Sequence, residues 1–296
     1  MEKFVSVALC TYNGEKFIAE QLDSLVNQNY NNLEIVIVDD KSTDDTIEII
    51  SSYAAKDARI KIFQNKSTLG FNKNFERAVT LCTGDYIAIC DQDDVWLPDK
   101  LLLLAENMGD NWLIYSNSVR VDDKLSNTDQ LLNHHKLSYD YKGILLSNYV
   151  TGHTVMICRE LVNVALPFPE NGYYDWWLGF VALYHKKIRY VDKVLTQHRQ
   201  HSASVINKQI HTNDVNVKIR QSTIAMLQEF SAYKNLAPVD KAFILDLKSA
   251  YVRSSASPVK LIRLINKFYS ELFSEQKPRN MLSRLNFARR YVQGLW

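Results

Sequence analysis

The chain has 296 residues, 46% hydrophobic and 23% charged, the balance of an ordinary folded globular protein, which excludes extended disorder. No stretch approaches the ~20 consecutive apolar residues of a membrane-spanning helix, and the length admits one large domain or a domain with an appendage. The formal net charge of +2 hides an asymmetry, because residues 255–296 hold eight Lys/Arg against two Glu and leave about −4 for the rest. A basic tail on a mildly acidic body suggests an anionic partner such as a membrane surface; the alternative is a solvated helical face. Cys10, Cys82, Cys90 and Cys158 lie far apart in apolar contexts, which points to reduced thiols rather than a zinc site or a disulfide framework. A cytoplasmic protein, peripheral on the inner face of the cell membrane if the tail binds it, is the expectation.

In chain order, "FVSVALC" (4–10) is rich in β-branched residues and leads through polar "TYNG" into "EKFIAEQLDSLVNQ", whose Phe17, Leu22, Leu25 and Val26 recur at near-helical spacing. "LEIVIVDD" (33–40) repeats the strand, and a helix follows in "STDDTIEIISSYA" with Ser42 or Thr43 as N-cap. A weaker strand "IKIF" (60–63) precedes helical "NKNFERAVTLC", and a fourth strand "DYIAIC" ends at Asp91, Asp93 and Asp94. Alternation of this kind predicts a parallel sheet with helices on both faces. Ligands then bind beyond the carboxyl ends of the strands, where "CTYNG", "VDDKSTDD" and "CDQDD" converge. "WLIYSNSVRV" (112–121) reads as a strand, residues 122–141 as a long surface loop, and "YVTGHTVMICRELV" as a strand entering a helix. "GYYDWWLGFVALYH" (172–185) is a helix opened by Asp175, and "IRYVDKVLTQHRQH" a strand with a polar end. Beyond about residue 207 the pattern is helical, with Leu261, Ile265, Phe268 and Leu272 on one stripe and Lys260, Arg263 and Lys267 off it.

Three carboxylates within four residues at a strand end repel one another unless a cation meets them. Asp-x-Asp-Asp can hold Mg2+ or Mn2+ through oxygen ligands, with a ligand's phosphates completing the shell. The same residues also read as an acidic turn capping the next helix. A receiver or an aspartyl phosphatase would place its acids after the first strand, and neither a P-loop nor a G-x-G-x-x-G occurs. Phosphates would therefore be held by metal and side chains.

"VALCTYNGEKFIAEQLDSLVNQNYNNLEIVIVDDKSTDDT", "LGFNKNFERAV" and "GDYIAICDQDDVWLPDK" together resemble the nucleotide-sugar-binding half of glycosyltransferase family 2 over roughly the first hundred residues. The resemblance implies an α/β GT-A fold with a doubly wound, mostly parallel sheet, helices on both faces and a helical C-terminal extension. It implies that Thr11 and Asn13 border the nucleotide base, that Asp40 hydrogen-bonds it, and that Asn74 lines the same pocket. Asp91 and Asp93 become the Asp-x-Asp pair at ribose and metal, with Asp94 beside them. "TGHTVMICRE", "YYDWWLGF" and "HRQHSASV" resemble bacterial rhamnosyltransferase-like members, in which Asp175 takes the part of catalytic base. His198 and Arg199 then reach the pyrophosphate, and His201 the metal.

Two features depart from the commonest family pattern: Tyr174 stands where a Glu often precedes the base, and His153 follows Thr151-Gly152 where a small residue is usual. The implied activity is metal-dependent transfer of a hexose-type sugar with inversion, from a dTDP- or UDP-linked donor to a lipid-linked glycan of a bacterial surface polysaccharide. dTDP-L-rhamnose is the first expectation for the donor and a UDP-hexose the second; nucleic acid is not expected as a partner. A non-catalytic nucleotide-sugar-binding subunit would lack a base, and a nucleotidyltransferase would show a glycine-rich phosphate loop. The expected division is a catalytic domain over 1–207, with a donor half 1–100 and an acceptor half 101–207, and a basic helical region over 208–296.

Overall fold

The computed structural model describes residues 2–132, 139–201, 215–254, 256–274 and 276–294. The expected boundary at 207/208 lies outside them. Over the first ninety residues, β1 (Val5–Thr11), α1 (Ile18–Val26), β2 (Leu33–Asp39), α2 (Thr46–Ala54), β3 (Ile60–Gln64), α3 (Phe71–Leu81) and β4 (Tyr86–Cys90) alternate as read from the sequence. Then come β5 (Val95–Trp96), α4 (Lys100–Asn107), β6 (Leu113–Val121), β7 (Asn127–Leu131), β8 (Val155–Cys158), α5 (Arg159–Ala165), α6 (Tyr174–Tyr184) and β9 (Ile188–Arg199). The C-terminal region supplies α7 (Val215–Ala232), α8 (Pro238–Arg253), α9 (Val259–Lys267), α10 (Tyr269–Leu272) and α11 (Met281–Gln293).

These strands form one sheet in the order β3-β2-β1-β4-β8-β6-β9-β5, with β7 on β6. Pairing is parallel from β3 to β4 and between β6 and β9, and antiparallel for β4 with β8, β8 with β6, and β5 with β9. Because side chains alternate along a strand, each strand feeds two cores. Val5, Val7 and Leu9 meet Ile18, Leu22, Leu101 and Leu104 of α1 and α4 on one face. Ala8, Val36 and Val38 meet Phe75, Ala78 and Val79 of α3 on the other.

Three local expectations need correction. Residues 127–131, expected within a loop, form β7, which pairs with the free edge of β6 at Val119↔Leu131 and Val121↔Asn127; a polar strand suits an exposed sheet edge. The N-cap of α2 is Asp45 rather than Ser42 or Thr43, and the Asp44 carboxylate accepts from Thr46 N at 3.1 Å. After the acidic cluster the chain first pairs with β9 as β5, and α4 begins only at Lys100.

The C-terminal helices share the core of the body. Phe230 of α7 lies face to face with Phe180 of α6, centroids 4.3 Å apart, and Leu261, Ile265 and Leu272 of the expected stripe are buried in the same cluster. Lys260, off that stripe, forms an ion pair with Asp246 of α8.

Candidate active site

The site lies where the loops after β1, β2 and β4 meet the ends of β9 and α6. Thr11, the last residue of β1, donates to Asp39 at 2.9 Å. Asn13 adopts a left-handed φ of 48°, which Asn tolerates better than most residues, and its Oδ1 accepts from Thr43 N at 2.9 Å. The first two loops are thereby tied together. Asp40 is buried, and its oxygens accept from Asn65 Nδ2 at 2.7 Å, Leu69 N at 2.7 Å and Gly70 N at 2.9 Å. Asn74 sits in the same network, with Oδ1 accepting from Asn65 and Nδ2 donating to Val38 O at 2.9 Å. Asp40 and Asn74 thus shape the loop that enters α3.

Gln92, between the expected acids, forms a reciprocal pair with the Tyr12 main chain, accepting from N at 2.9 Å and donating to O at 3.1 Å. This amide mimics one rung of a strand ladder and orients the residues on either side. Burial, reinforced by Asp94 and Asp93, pushes the Asp91 carboxyl well above the usual range. Asp93 Oδ2 lies 2.7 Å from His201 Nε2. Asp94 is fully buried; one oxygen meets His198 Nδ1 at 2.9 Å and Arg199 N at 3.1 Å, while Oδ2 has no hydrogen-bond partner. Burial works against a charged His198, but Asp94 overcomes it, aided by Asp91 and Asp93, and the ring is pulled up to about 9.

Asp175 stands in the first turn of α6. Its oxygens accept from Trp176 N at 2.7 Å and Gly152 N at 3.1 Å, and removal from water raises its carboxyl to about 6 against the lowering effect of those bonds. A side chain at Gly152 would run into the Tyr174 hydroxyl, so only glycine brings that N–H to Asp175.

Arg199, expected at the pyrophosphate, lies against the acidic loop. Its guanidinium is buried: Nε donates to Asp93 O at 2.9 Å, and the two terminal nitrogens donate to Asp123 O and to the Glu20 carboxylate. In this arrangement it braces that loop. Lys100, missed in the sequence, is fully buried; burial lowers its ammonium to about 7. A signal was present, since Lys100 shares an i, i+4, i+8 stripe with Leu104 and Met108. His153, noted only as a departure, is buried, and its ring stacks on His198 with centroids 4.3 Å and planes 4° apart.

An unpartnered buried carboxylate oxygen, and a carboxyl raised by burial and by its acidic neighbours, fit a site that takes a cation. Asp94, His153 and His198 place ligand atoms within 4.8 Å of one another. Imidazole lone pairs lie in the ring plane, however, so two parallel stacked rings cannot both point at one ion. Asp93 and His201 face each other at 2.7 Å, with Asp91 two residues back in the same loop, and carboxylate oxygens of this kind suit Mg2+ or Mn2+.

The sheet is of the GT-A type, and its strand ends gather Asp91, Asp93 and Asp94, two histidines and the half-buried Asp175. Residues 6–165 match the family model described as Glycosyl transferase family 2, and the chain belongs to that family. An uncharacterised glycosyltransferase of Haemophilus influenzae is 31% identical over 173 residues, 58% of this chain and 68% of that one. The UDP-Glc:alpha-D-GlcNAc-diphosphoundecaprenol beta-1,3-glucosyltransferase WfaP of Escherichia coli is 29% identical over 224 residues, 75% and 85% of the two chains. A further H. influenzae glycosyltransferase is 42% identical over 107 residues, and there this chain spans only 33% of the relative's length. TarS of S. aureus, solved in complex with UDP-GlcNAc, shares the fold with a TM-score of 0.61 at 18% identity over 99% of this chain and 89% of its own.

Proposed function

We propose that this protein transfers a hexose, with inversion, from a UDP-linked donor to a hydroxyl of a lipid-linked saccharide in bacterial surface polysaccharide synthesis. The observation that carries the reading is Asp175, raised to about 6 and close enough to the acidic end of β4 for its charge to act on Asp91. A base and a cation site then lie at the same end of the sheet. Asp175 accepts the proton of the acceptor hydroxyl as its oxygen attacks the anomeric carbon, and the bond from that carbon to the diphosphate oxygen breaks on the opposite side. Asp91, Asp93 and His201 would hold a divalent ion, which when bound supplies positive charge to the departing diphosphate. His198, whose ring Asp94 holds toward its charged form, lies beside it. Thr11, Asn13 and Asp40 border the base pocket.

The donor of the E. coli relative is UDP-Glc by its name, and TarS was solved with UDP-GlcNAc; both support placing a UDP-hexose ahead of dTDP-L-rhamnose. The lipid-linked acceptor rests on the diphosphoundecaprenol in the relative's name. Among the described residues no helix is long and apolar enough to cross a membrane. The contact proposed with an anionic bilayer is α11, where Met281 and Leu282 are each 75% exposed and residues 276–294 carry Lys277, Arg279, Arg284, Arg289 and Arg290 without an acid.

Calorimetric titration with UDP-glucose, UDP-galactose, UDP-N-acetylglucosamine and dTDP-rhamnose, each with and without Mn2+, tests the reading. Metal-dependent binding of one UDP-sugar, lost in Asp93→Ala and kept in Asp175→Ala, is the expected result. Binding of dTDP-rhamnose alone overturns the donor assignment.

A further inference from the structure

The short turn Gly152–Thr154 closes on itself, with Thr154 N donating to Thr151 O at 3.0 Å and Thr154 Oγ1 to the same oxygen at 2.7 Å. Its shape therefore needs no outside help. It is nevertheless held from outside on two sides. Lys100 Nζ donates to His153 O at 2.5 Å and to Thr196 Oγ1 of β9 at 2.9 Å, and lies 3.6 Å from the centre of the Trp96 ring. The His153 ring meets Ser118 Oγ of β6 at 2.9 Å and covers the face of His198, which itself bonds Asp94. From this clamped turn, Gly152 N donates to Asp175 Oδ2.

A buried ammonium at a stripe position where Leu or Met would pack is costly in desolvation. What Lys100 adds over a hydrophobe is two directed hydrogen bonds, and one of them ends on the turn that holds Asp175. We propose that Lys100 and His153 are positioning residues, which through the 152–154 turn fix the Asp175 carboxylate relative to the acidic end of β4. This rests on the reading of Asp175 as base. The departure at His153 then has a purpose: a flat ring at this position reaches β6 and β9 at once, and a small residue reaches neither. Misplacing a catalytic group by about 1 Å can cost about 10²-fold in rate.

Besides Gly152 N, Asp175 is acted on by Trp176 N, its own N–H and the Asn148 side chain, and it interacts with Tyr174 on its own helix and with Asp91, just beyond β4. A looser turn weakens one bond to the ionised carboxylate, so the carboxyl shifts upward.

The test uses the full chain labelled with 13C at the aspartate carboxyls, as wild type, Lys100→Met, His153→Phe and Ser118→Ala, with Asp175→Asn assigning the signal. Lys100→Met keeps the volume and removes a buried charge; Ser118→Ala alters no charge and serves if either larger change fails to fold. The expected result is an Asp175 titration midpoint raised by about half a unit in Lys100→Met and in Ser118→Ala. His153→Phe, which keeps the stack and loses the Ser118 bond, behaves like Ser118→Ala. Turnover of UDP-glucose with Mn2+ and a GlcNAc-pyrophosphoryl lipid falls about 10²-fold in Lys100→Met, while UDP affinity in Mn2+ changes less than about threefold. An unmoved midpoint in the folded variants overturns the proposal, and so does a loss of UDP affinity equal to the loss of turnover. If Asp175→Asn transfers sugar as fast as wild type, the base reading fails, and the titration midpoints alone still decide whether Lys100 and His153 place this carboxylate.

Discussion

His201 Nε2 lies 2.7 Å from Asp93 Oδ2 across 108 residues of chain, and the His201 ring is backed by Phe17 at 4.8 Å. One bond thus joins the end of β9 to the acidic loop, and both of its atoms are of the kind that ligate a cation. Asp93→Ala is expected to abolish Mn2+-dependent UDP binding, and His201→Ala to weaken it about 10- to 100-fold. Titration of UDP at fixed Mn2+ measures both, and an unchanged affinity in His201→Ala removes that residue from the ligand set.

Asp175 is a base only when ionised. With its carboxyl at about 6, kcat should rise with pH through that region and level off above it. Asp175→Asn should lower kcat by about 10²–10⁴-fold and leave UDP binding intact. A pH–rate profile without an acid limb near 6 contradicts the assignment.

Far from the site, Glu34 is buried and accepts from Ser6 Oγ at 2.5 Å, Lys61 Nζ at 2.6 Å, Thr83 N at 2.7 Å and Thr83 Oγ1 at 2.8 Å. Burial raises its carboxyl, but the donors together hold it down at about 2. An unfolded glutamate titrates near ~4.3, so the stabilisation is fully present above that value and is lost as pH falls toward 2. Glu34→Gln should cost about 2 kcal/mol at pH 7. Urea unfolding of both proteins from pH 7 down to pH 3 should show the gap closing, and a gap independent of pH contradicts the argument.

Arg199 holds three chain segments from a buried position. Arg199→Lys keeps the charge and loses the fork, so the carbonyls of Asp93 and Asp123 lose donors and the melting temperature should fall, in line with a cost of about 1–3 kcal/mol. A large loss of UDP affinity without a change in melting would instead place Arg199 at the pyrophosphate.

For the membrane contact, Met281→Ser, Leu282→Ser, Arg289→Gln and Arg290→Gln combined should reduce sedimentation with phosphatidylglycerol vesicles. Lys260→Gln should have little effect, since Lys260 is paired with Asp246. Equal sedimentation of the fourfold variant and wild type argues against α11.

The donor half was readable because its strands are continuous apolar runs, each followed by a helix of clear period, and the acids at their ends stood out by spacing. Asp175 and His201 were readable only through the resemblance. The parts played by Lys100, His153 and Ser118 were hidden, because they depend on which of β6, β8 and β9 are neighbours. The order β8-β6-β9 is not the chain order, and no local pattern encodes it. Nor does the sequence show that Asp40 and Arg199 also hold the loops beside them, Asp40 through Asn65, Leu69 and Gly70 and Arg199 through Asp93, Asp123 and Glu20.

The sheet changes from parallel to antiparallel between β4 and β8, and that seam is only three residue pairs long, Tyr86↔Cys158, Ile87↔Ile157 and Ala88↔Met156. On one side lie the loops after β1 and β2; on the other, the helix that carries Asp175. Few main-chain bonds cross this line, so the two sides are joined mainly by side chains, such as Leu101 and Leu104 of α4 against β1. A hybrid that keeps β1–β4 and takes its remainder from a relative should fold only where those packing residues match.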